Sequence, residues 1–291
     1  MKNAYFNHHD LTRMLSGGSL KLISSVKSDV NAIKPAKRYL DWINKNCDNH
    51  DYREAMLVLS GSGTFSLNGA VYPSLPGTFF FMDSKEKHDS YYPPFYDNFR
   101  HLWFRIVNKT IFTGDPYAKT NGIVKNTRSF NYTFNENNHA GQLFINAWDR
   151  LKINHAIGSE FDWLYFEQAV AGLLFELCRA GNDILLKKNE APIELHHKTA
   201  INAVAEHIRE TGGRNLNTAK LAYIAGYSKF HFARLFKKIT GCSVLAFINL
   251  SRINKCREFS QKGLSKKQIS DELGFSSPAA FSRWSKDNLK R

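Results

Sequence analysis

Two groups of residues in this 291-residue chain have types and spacings that could do chemistry. The first is basic. Lys229, Phe230, Ala233, Arg234 and Lys237 lie on one side of a helical period whose other side is Phe232, Leu235, Phe236 and Ile239. An arginine in the middle of such an exposed face can donate two hydrogen bonds to guanine O6 and N7. A neighbouring lysine can neutralise a phosphate without reading sequence. Ala280, Arg283 and Lys286 or Asp287 repeat the arrangement opposite Phe281 and Trp284. In the second group, His101, Trp103 and Arg105 alternate along one stretch, so in a strand their side chains share a face. Trp103 would offer a flat apolar wall against which a sugar ring could stack, and His101 and Arg105 would supply hydrogen bonds.

The elements that must position these residues divide the chain in two. Lys and Arg number 40 against 26 Asp and Glu, a net charge of +14. Residues 192–291 hold 18 basic and 7 acidic residues, net +11, whereas residues 1–191 hold 22 and 19, net +3. A compact basic segment suits a polyanion, nucleic acid first and an anionic membrane surface second. With 43% apolar and 23% charged residues the chain is not largely disordered. No stretch approaches the roughly 18 uncharged apolar residues of a membrane span. His8, His9, Asp10 and Arg13 do not read as a signal peptide. Cys47, Cys178, Cys242 and Cys256 form no CxxC pair, which argues against a disulfide framework or zinc ribbon and fits a reducing cytoplasm.

Between Tyr52 and Ile106 the pattern is that of short antiparallel strands: Ala55–Leu59, Thr64–Leu67, Ala70–Tyr72, Thr78–Met82, Ser90–Tyr92 and Phe99–Ile106. Asn68-Gly69 predicts a two-residue hairpin turn and Pro76-Gly77 a second turn. Such a series means a sandwich or small barrel. Weak strands are expected near Ile123–Val124 and Tyr132–Phe134. Helical spacing follows from His139 to Leu151 and from Phe161 to Arg179, the latter ended by Ala180-Gly181-Asn182. That second helix is apolar on most sides, an excess that asks for two partners, one of them a second subunit. Lys187 to Pro192 is the linker candidate. Beyond it the chain is helical: Lys198–Glu210, a short helix capped by Asn217 or Thr218, Ser228 to Ile239, Val244 to Gln261, Lys266–Leu273, and a last helix opened by Ser276 or Ser277 with Pro278 in its first turn.

Helix, Gly-containing turn, helix therefore occurs twice, with Gly226-Tyr227-Ser228 and Gly274-Phe275-Ser276 at the turns. With Phe232 to Gly241, Arg252 in the connecting helix, and Phe281-Ser282-Arg283, these motifs make residues 197–287 resemble the DNA-binding domain of the AraC family of bacterial transcription regulators. Trp284-Ser285-Lys286 departs from the family pattern, and looser packing of the second unit is expected there. Gly61-Ser62-Gly63-Thr64-Phe65, Pro76-Gly77 and Lys87-His88 resemble the cupin-like sensor domain of the same family. Arg100 to Phe104 is similar to the pocket strand of its sugar-sensing members.

The resemblance implies a mainly-β cupin-like jelly-roll barrel with trailing helices over 1–186, serving ligand sensing and dimerisation. A linker over 187–192 and an all-α tandem helix-turn-helix domain over 193–291 would follow. Its expected partners are a double-stranded DNA operator, a small-molecule effector of carbohydrate type contacting His88, His101, Trp103 and Arg105, a second copy of the chain, and RNA polymerase. A cytoplasmic, non-enzymatic regulator follows. The rival is a cupin isomerase or oxygenase with a basic helical appendage. A metal cupin needs two His one residue apart, a nearby carboxylate and a later His. The approach to His88 holds one His, and His101 with Asp89 would complete a poor set. No metal and no cofactor are expected. A DNA-repair regulator with a reactive cysteine is disfavoured because Cys47 lacks a flanking His or Cys cluster.

Overall fold

The computed structural model describes residues 11, 14, 20–89, 93–96, 98–107, 109–114, 117–120, 123–126, 131–134, 137–153, 160–186 and 193–289. The chain divides into two compact units, residues 1–191 and 192–291. The strand expected at Ser90–Tyr92 and the linker expected at 187–192 lie outside the described residues. Among the described residues no helix is long and apolar enough to cross a membrane.

The first unit runs β1 (Lys21–Ile23), α1 (Lys37–Asn46), β2 (Cys47–Asp48), β3 (Arg53–Ser60), β4 (Gly63–Leu67), β5 (Ala70–Ser74), β6 (Thr78–Met82), β7 (His88–Asp89), β8 (Phe99–Val107), β9 (Thr110–Gly114), β10 (Tyr117–Thr120), β11 (Ile123–Asn126), β12 (Asn131–Phe134), α2 (His139–Ile153) and α3 (Glu160–Leu186). The strands form a large sheet of order β1-β6-β3-β8-β10-β11, with β9 on β8 and β12 on β9, and a small sheet of order β2-β7-β4-β5. Asn68 and Gly69 join β4 to β5 with φ of 50° and 83°, the left-handed pair that a type I′ turn requires. One pairing was not foreseen: β1 lies parallel to β6, Lys21 opposite Thr78. Three residues are too few for a period-2 signal, and α1 was likewise unread.

Alternation sorts β3, β6 and β8 into two cores. Leu57, Phe79, Phe81, Leu102, Phe104 and Ile106 pack with Phe144, Trp148, Phe166 and Leu173 of α2 and α3. Met56, Val58, Phe80, Met82 and Trp103 point the other way and meet Phe65 and Leu67 of the small sheet. Both faces are therefore covered, which is why β6 reads as an unbroken apolar run and is buried throughout. The helix α3 does not stop at Ala180-Gly181-Asn182 but continues to Leu186. A glycine within a helix costs about 1 kcal/mol against alanine and does not by itself break it. Trp163, Phe166, Val170, Leu173 and Leu177 face the sheet, while Phe161, Leu164 and Phe175 are exposed.

The second unit is α4 (Ile193–Thr211), α5 (Thr218–Ile224), α6 (Lys229–Thr240), α7 (Val244–Gln261), α8 (Lys266–Glu272) and α9 (Pro278–Asn288). Side-chain oxygens of Asn217, Ser228, Ser243, Ser265 and Ser277 each accept from a main-chain N–H in the first turn that follows. These caps satisfy donors that would otherwise face outward unpaired. The looser second unit expected around Trp284 is not what forms. Trp284 packs with Phe275 and Phe281 over a core of Cys256, Ile269 and Leu273. Its indole Nε1 donates to Asn249 Oδ1 of α7 at 2.8 Å, and Asn249 Nδ2 donates to Asn288 Oδ1 at 2.8 Å. An indole supplies both the ring the core needs and a donor that a Phe lacks. Trp284→Phe should therefore lower stability by about 1 kcal/mol, the net worth of one such hydrogen bond. Urea unfolding checks this, and an unchanged midpoint would mean that the Asn249 contact contributes nothing.

Candidate functional site

The basic surface is built by two turns. In the first, Gly226 adopts φ 73°, and Tyr227 N–H returns to the Ala222 carbonyl at 2.8 Å, so the chain reverses before Ser228 caps α6. Phe232 and Phe236 anchor α6, the latter edge-on to Phe247 of α7 with ring centroids 5.3 Å apart. That anchoring turns Lys229, Phe230, Arg234 and Lys237 outward, all exposed, with Phe230 86% exposed and Ala233 half-buried. The sequence reading missed His231 and His197. His231 Nδ1 lies 3.3 Å from Arg234 Nη2, and His197 Nδ1 lies 2.7 Å from the Tyr227 hydroxyl, whose pKa burial pushes up to about 12. Nothing in the local spacing ties His197 to a turn thirty residues away.

In the second turn Gly274 has φ 70° and Ser277 caps α9. Phe281 is buried, Arg283, Lys286 and Asp287 are exposed, and Ala280 is half-buried. Arg252 of α7 connects the two halves: its Nη2 donates to the Gly213 carbonyl at 3.2 Å and its guanidinium lies 4.9 Å over the Phe275 ring. Burial lowers its pKa.

Inside the β unit, β8 presents His101, Trp103 and Arg105 on one face, opposite Val58, Met56 and Glu54 of β3. That face is the space between the two sheets. Trp103 is 8% exposed and lies 6.3 Å from Phe65, so it is a member of the inner core. His101 stacks on Phe99 at 4.7 Å, and burial pushes its pKa down to about 3, leaving a neutral imidazole.

Arg105 and His88 meet at a carboxylate that the sequence reading did not single out. Glu54 lies 3.3 Å from Arg105, 3.1 Å from His50 and 3.5 Å from His88. Burial alone would raise its pKa, but hydrogen bonds with His50 and His88 and the charges of His50 and Arg105 outweigh burial and hold it at about 2. Burial likewise works to lower the His88 pKa, and the Glu54 carboxylate prevails and raises it. The set of His88, His101 and Asp89 weighed from sequence is not one site. Asp89 instead accepts from the Tyr39 hydroxyl at 2.5 Å and lies 3.9 Å from Cys47 Sγ. Burial raises the Asp89 pKa to about 7, and it raises those of Tyr39 and Cys47 as well. One signal was readable: His50 and Glu54 are four residues apart at the entrance to a strand, where an even spacing favours a shared face.

Residues 48–162 match the family described as AraC-like ligand binding domain, and residues 221–290 match a helix-turn-helix domain family. Similar relatives include the HTH-type transcriptional activator Btr of Bacillus subtilis (strain 168), 34% identical over 86 residues, which are 29% of this chain and 16% of that protein. The Transposon Tn10 TetD protein of Escherichia coli is 33% identical over 90 residues, 30% of this chain and 64% of that protein. The chain thus matches less than two thirds of the length of either relative. Among solved structures, ToxT from Vibrio cholerae O395 is 13% identical, covering 84% of this chain and 89% of that one with a TM-score of 0.27. Fatty-acid-bound ToxT from strain SCE256 is 13% identical over 84% and 86% of the two chains, with a TM-score of 0.26. A match to an AraC-like ligand binding domain thus precedes, in sequence order, a match to a helix-turn-helix domain, and in this the chain resembles the AraC family.

Proposed function

We propose that this chain is a ligand-responsive regulator of transcription that binds double-stranded operator DNA through α6 and α9. One observation carries the reading. Two N-capped helices, each pinned by buried aromatics, turn arginine and lysine outward within a segment of net charge +11. Arg234 and Arg283 are assigned to base edges, Lys229, Lys237 and Lys286 to phosphates, and Phe230, Ala233 and Ala280 to the apolar part of the contact. The β unit, residues 1–186, is assigned to sensing a carbohydrate-like effector at His88, His101, Trp103 and Arg105. Pairing with a second copy is assigned to the exposed Phe161, Leu164 and Phe175 of α3. Residues 193–291 carry the DNA-binding role, RNA polymerase is the further partner, and the site of action is the cytoplasm. The effector acts by binding one of two states of the chain more tightly than the other.

Duplexes selected by the full chain from a randomised pool provide the site. Arg234→Ala should cost about 1–3 kcal/mol on the selected sequence and relax preference at one position. Lys237→Ala should weaken selected and random DNA alike and lower the salt slope by about one. Equal losses on both kinds of DNA for both variants would remove the distinction, and no enrichment at all would overturn the reading.

The 18 residues of α7 make a rod of about 27 Å at roughly 1.5 Å per residue. With its flanking turns the rod approaches the spacing of about 34 Å between successive major grooves on one side of a duplex. Footprinting should show two protected clusters per subunit about 10–10.5 base pairs apart, different in sequence because the two helices differ. A single cluster would leave α9 out of the groove.

For the effector, Trp103→Phe preserves most of the core packing and removes the indole. Thermal shift against a panel of monosaccharides should show a sugar that stabilises the parent chain, by about 2.7 kcal/mol at a hundredfold excess over Kd, and fails to stabilise the variant. An equal response of both proteins would place the effector elsewhere.

A further inference from the structure

His50, Glu54 and His88 bring three ligand atoms within 4.8 Å of one another inside the β unit. Glu54 Oε2 lies 3.1 Å from His50 Nε2 and 3.5 Å from His88 Nε2. Each ring is held from its far side by main chain. His50 Nδ1 is 2.8 Å from the Tyr52 carbonyl oxygen, and His88 Nδ1 is 2.9 Å from that of Glu86. A carbonyl oxygen only accepts, so Nδ1 of each ring is protonated. Without metal, Nε2 of each ring donates to the Glu54 carboxylate, and on giving up those protons the two Nε2 lone pairs and Oε2 face one another. Such a group closes around a cation. Anchoring of Nδ1 by a carbonyl is also how histidine ligands are ordinarily oriented toward a metal.

Spacing and chemistry narrow the cation. Tetrahedral ligand atoms about 2.1 Å from a zinc-sized ion stand about 3.4 Å apart, and the two distances at Glu54 bracket that value. Arg105 occupies the other carboxylate oxygen, Oε1, at 3.3 Å, which leaves Oε2 to the site. Glu54 and His88 are buried, whereas the His50 side chain is 14% exposed and marks the side from which an ion would enter. Two imidazoles and one carboxylate suit divalent first-row transition ions, while magnesium and calcium prefer oxygen alone.

We propose that His50, Glu54 and His88 form a binding site for one divalent first-row transition-metal ion of Zn2+ type, with further coordination positions left to water or a small ligand. The site belongs to the β unit and does not depend on the reading of the chain as a DNA-binding regulator.

The test uses the full-length protein, stripped with a chelator and titrated with Co2+ as a spectroscopic probe, then with Zn2+. The expected result is one Co2+ per chain, visible absorption bands that one equivalent of Zn2+ removes, and a rise in melting temperature with metal. Glu54→Gln and His50→Gln should each lower Co2+ affinity by more than about tenfold, the least that loss of even a supporting residue costs a metal site. His50 lies at the rim, so His50→Gln decides the matter if the buried Glu54→Gln variant does not fold. The adjacent His8 and His9 could hold an ion by themselves, and the His8→Ala, His9→Ala double variant should bind as the parent does. Binding that is not saturable at one per chain, that persists in folded His50→Gln, or that disappears with His8 and His9 would overturn the site.

Discussion

Both faces of the large sheet are covered, by α2 and α3 on one side and by the small sheet on the other, and this double burial constrains every residue along β3, β6 and β8. A polar side chain placed there leaves water behind and must find a partner, at a cost of about 1–3 kcal/mol if it does not. Glu54, Arg105 and His88 obey that rule by finding one another. The same constraint makes Trp103 a core residue of the inner face. In a closed interior, whatever shapes the space also holds the fold together.

Stability does not account for the Glu54 cluster. Replacing a buried ion pair by well-packed apolar residues is often neutral or favourable by about 1–4 kcal/mol, whereas removing a single partner costs about 3–5 kcal/mol. A cluster of four titratable groups in a β core is therefore a poor way to gain stability and a good way to hold groups in fixed protonation states. Its neighbour on the other side of β7, the Tyr39–Asp89–Cys47 group, has the opposite character. Burial dominates there and favours the neutral forms. Consecutive residues of a two-residue strand thus sit in different electrostatic settings, because successive side chains leave a strand on opposite faces.

The helical unit solves a different problem, that of presenting two short helices rigidly although neither could stand alone. Isolated helices of 11 or 12 residues are marginal in water. Caps at five N-termini, left-handed glycines at the turns and aromatic contacts to α7 supply what length does not. Arg252 spends its charge on a carbonyl and an aromatic face inside the unit, so it ties α7 to the Gly213 turn and to Phe275 rather than facing outward. Trp284 does the same for α9 through Asn249.

Local rules were enough to read the capped helices, the Asn68-Gly69 hairpin, the boundary in charge near residue 191 and the outward basic faces of α6 and α9. Each follows from periodicity, turn chemistry or composition within a short window. The fate of α3 beyond Gly181 was misjudged by the same rules, because a glycine raises the cost of a helix without deciding where it ends. Pairing across distance was beyond them. That β1 returns parallel to β6, that Arg105 spans to Glu54, that His50 and His88 converge from separate strand ends, and that His197 reaches Tyr227 all depend on how whole faces are buried. Residue types alone offered His88 only a poor set with Asp89 and His101. Strand alternation sent Asp89 to Tyr39, and the packing of the large sheet on the small one brought Glu54 to His88 instead. Tertiary structure made that choice because side-chain direction in a sheet alternates residue by residue, while the identity of the opposing strand is a property of the whole fold.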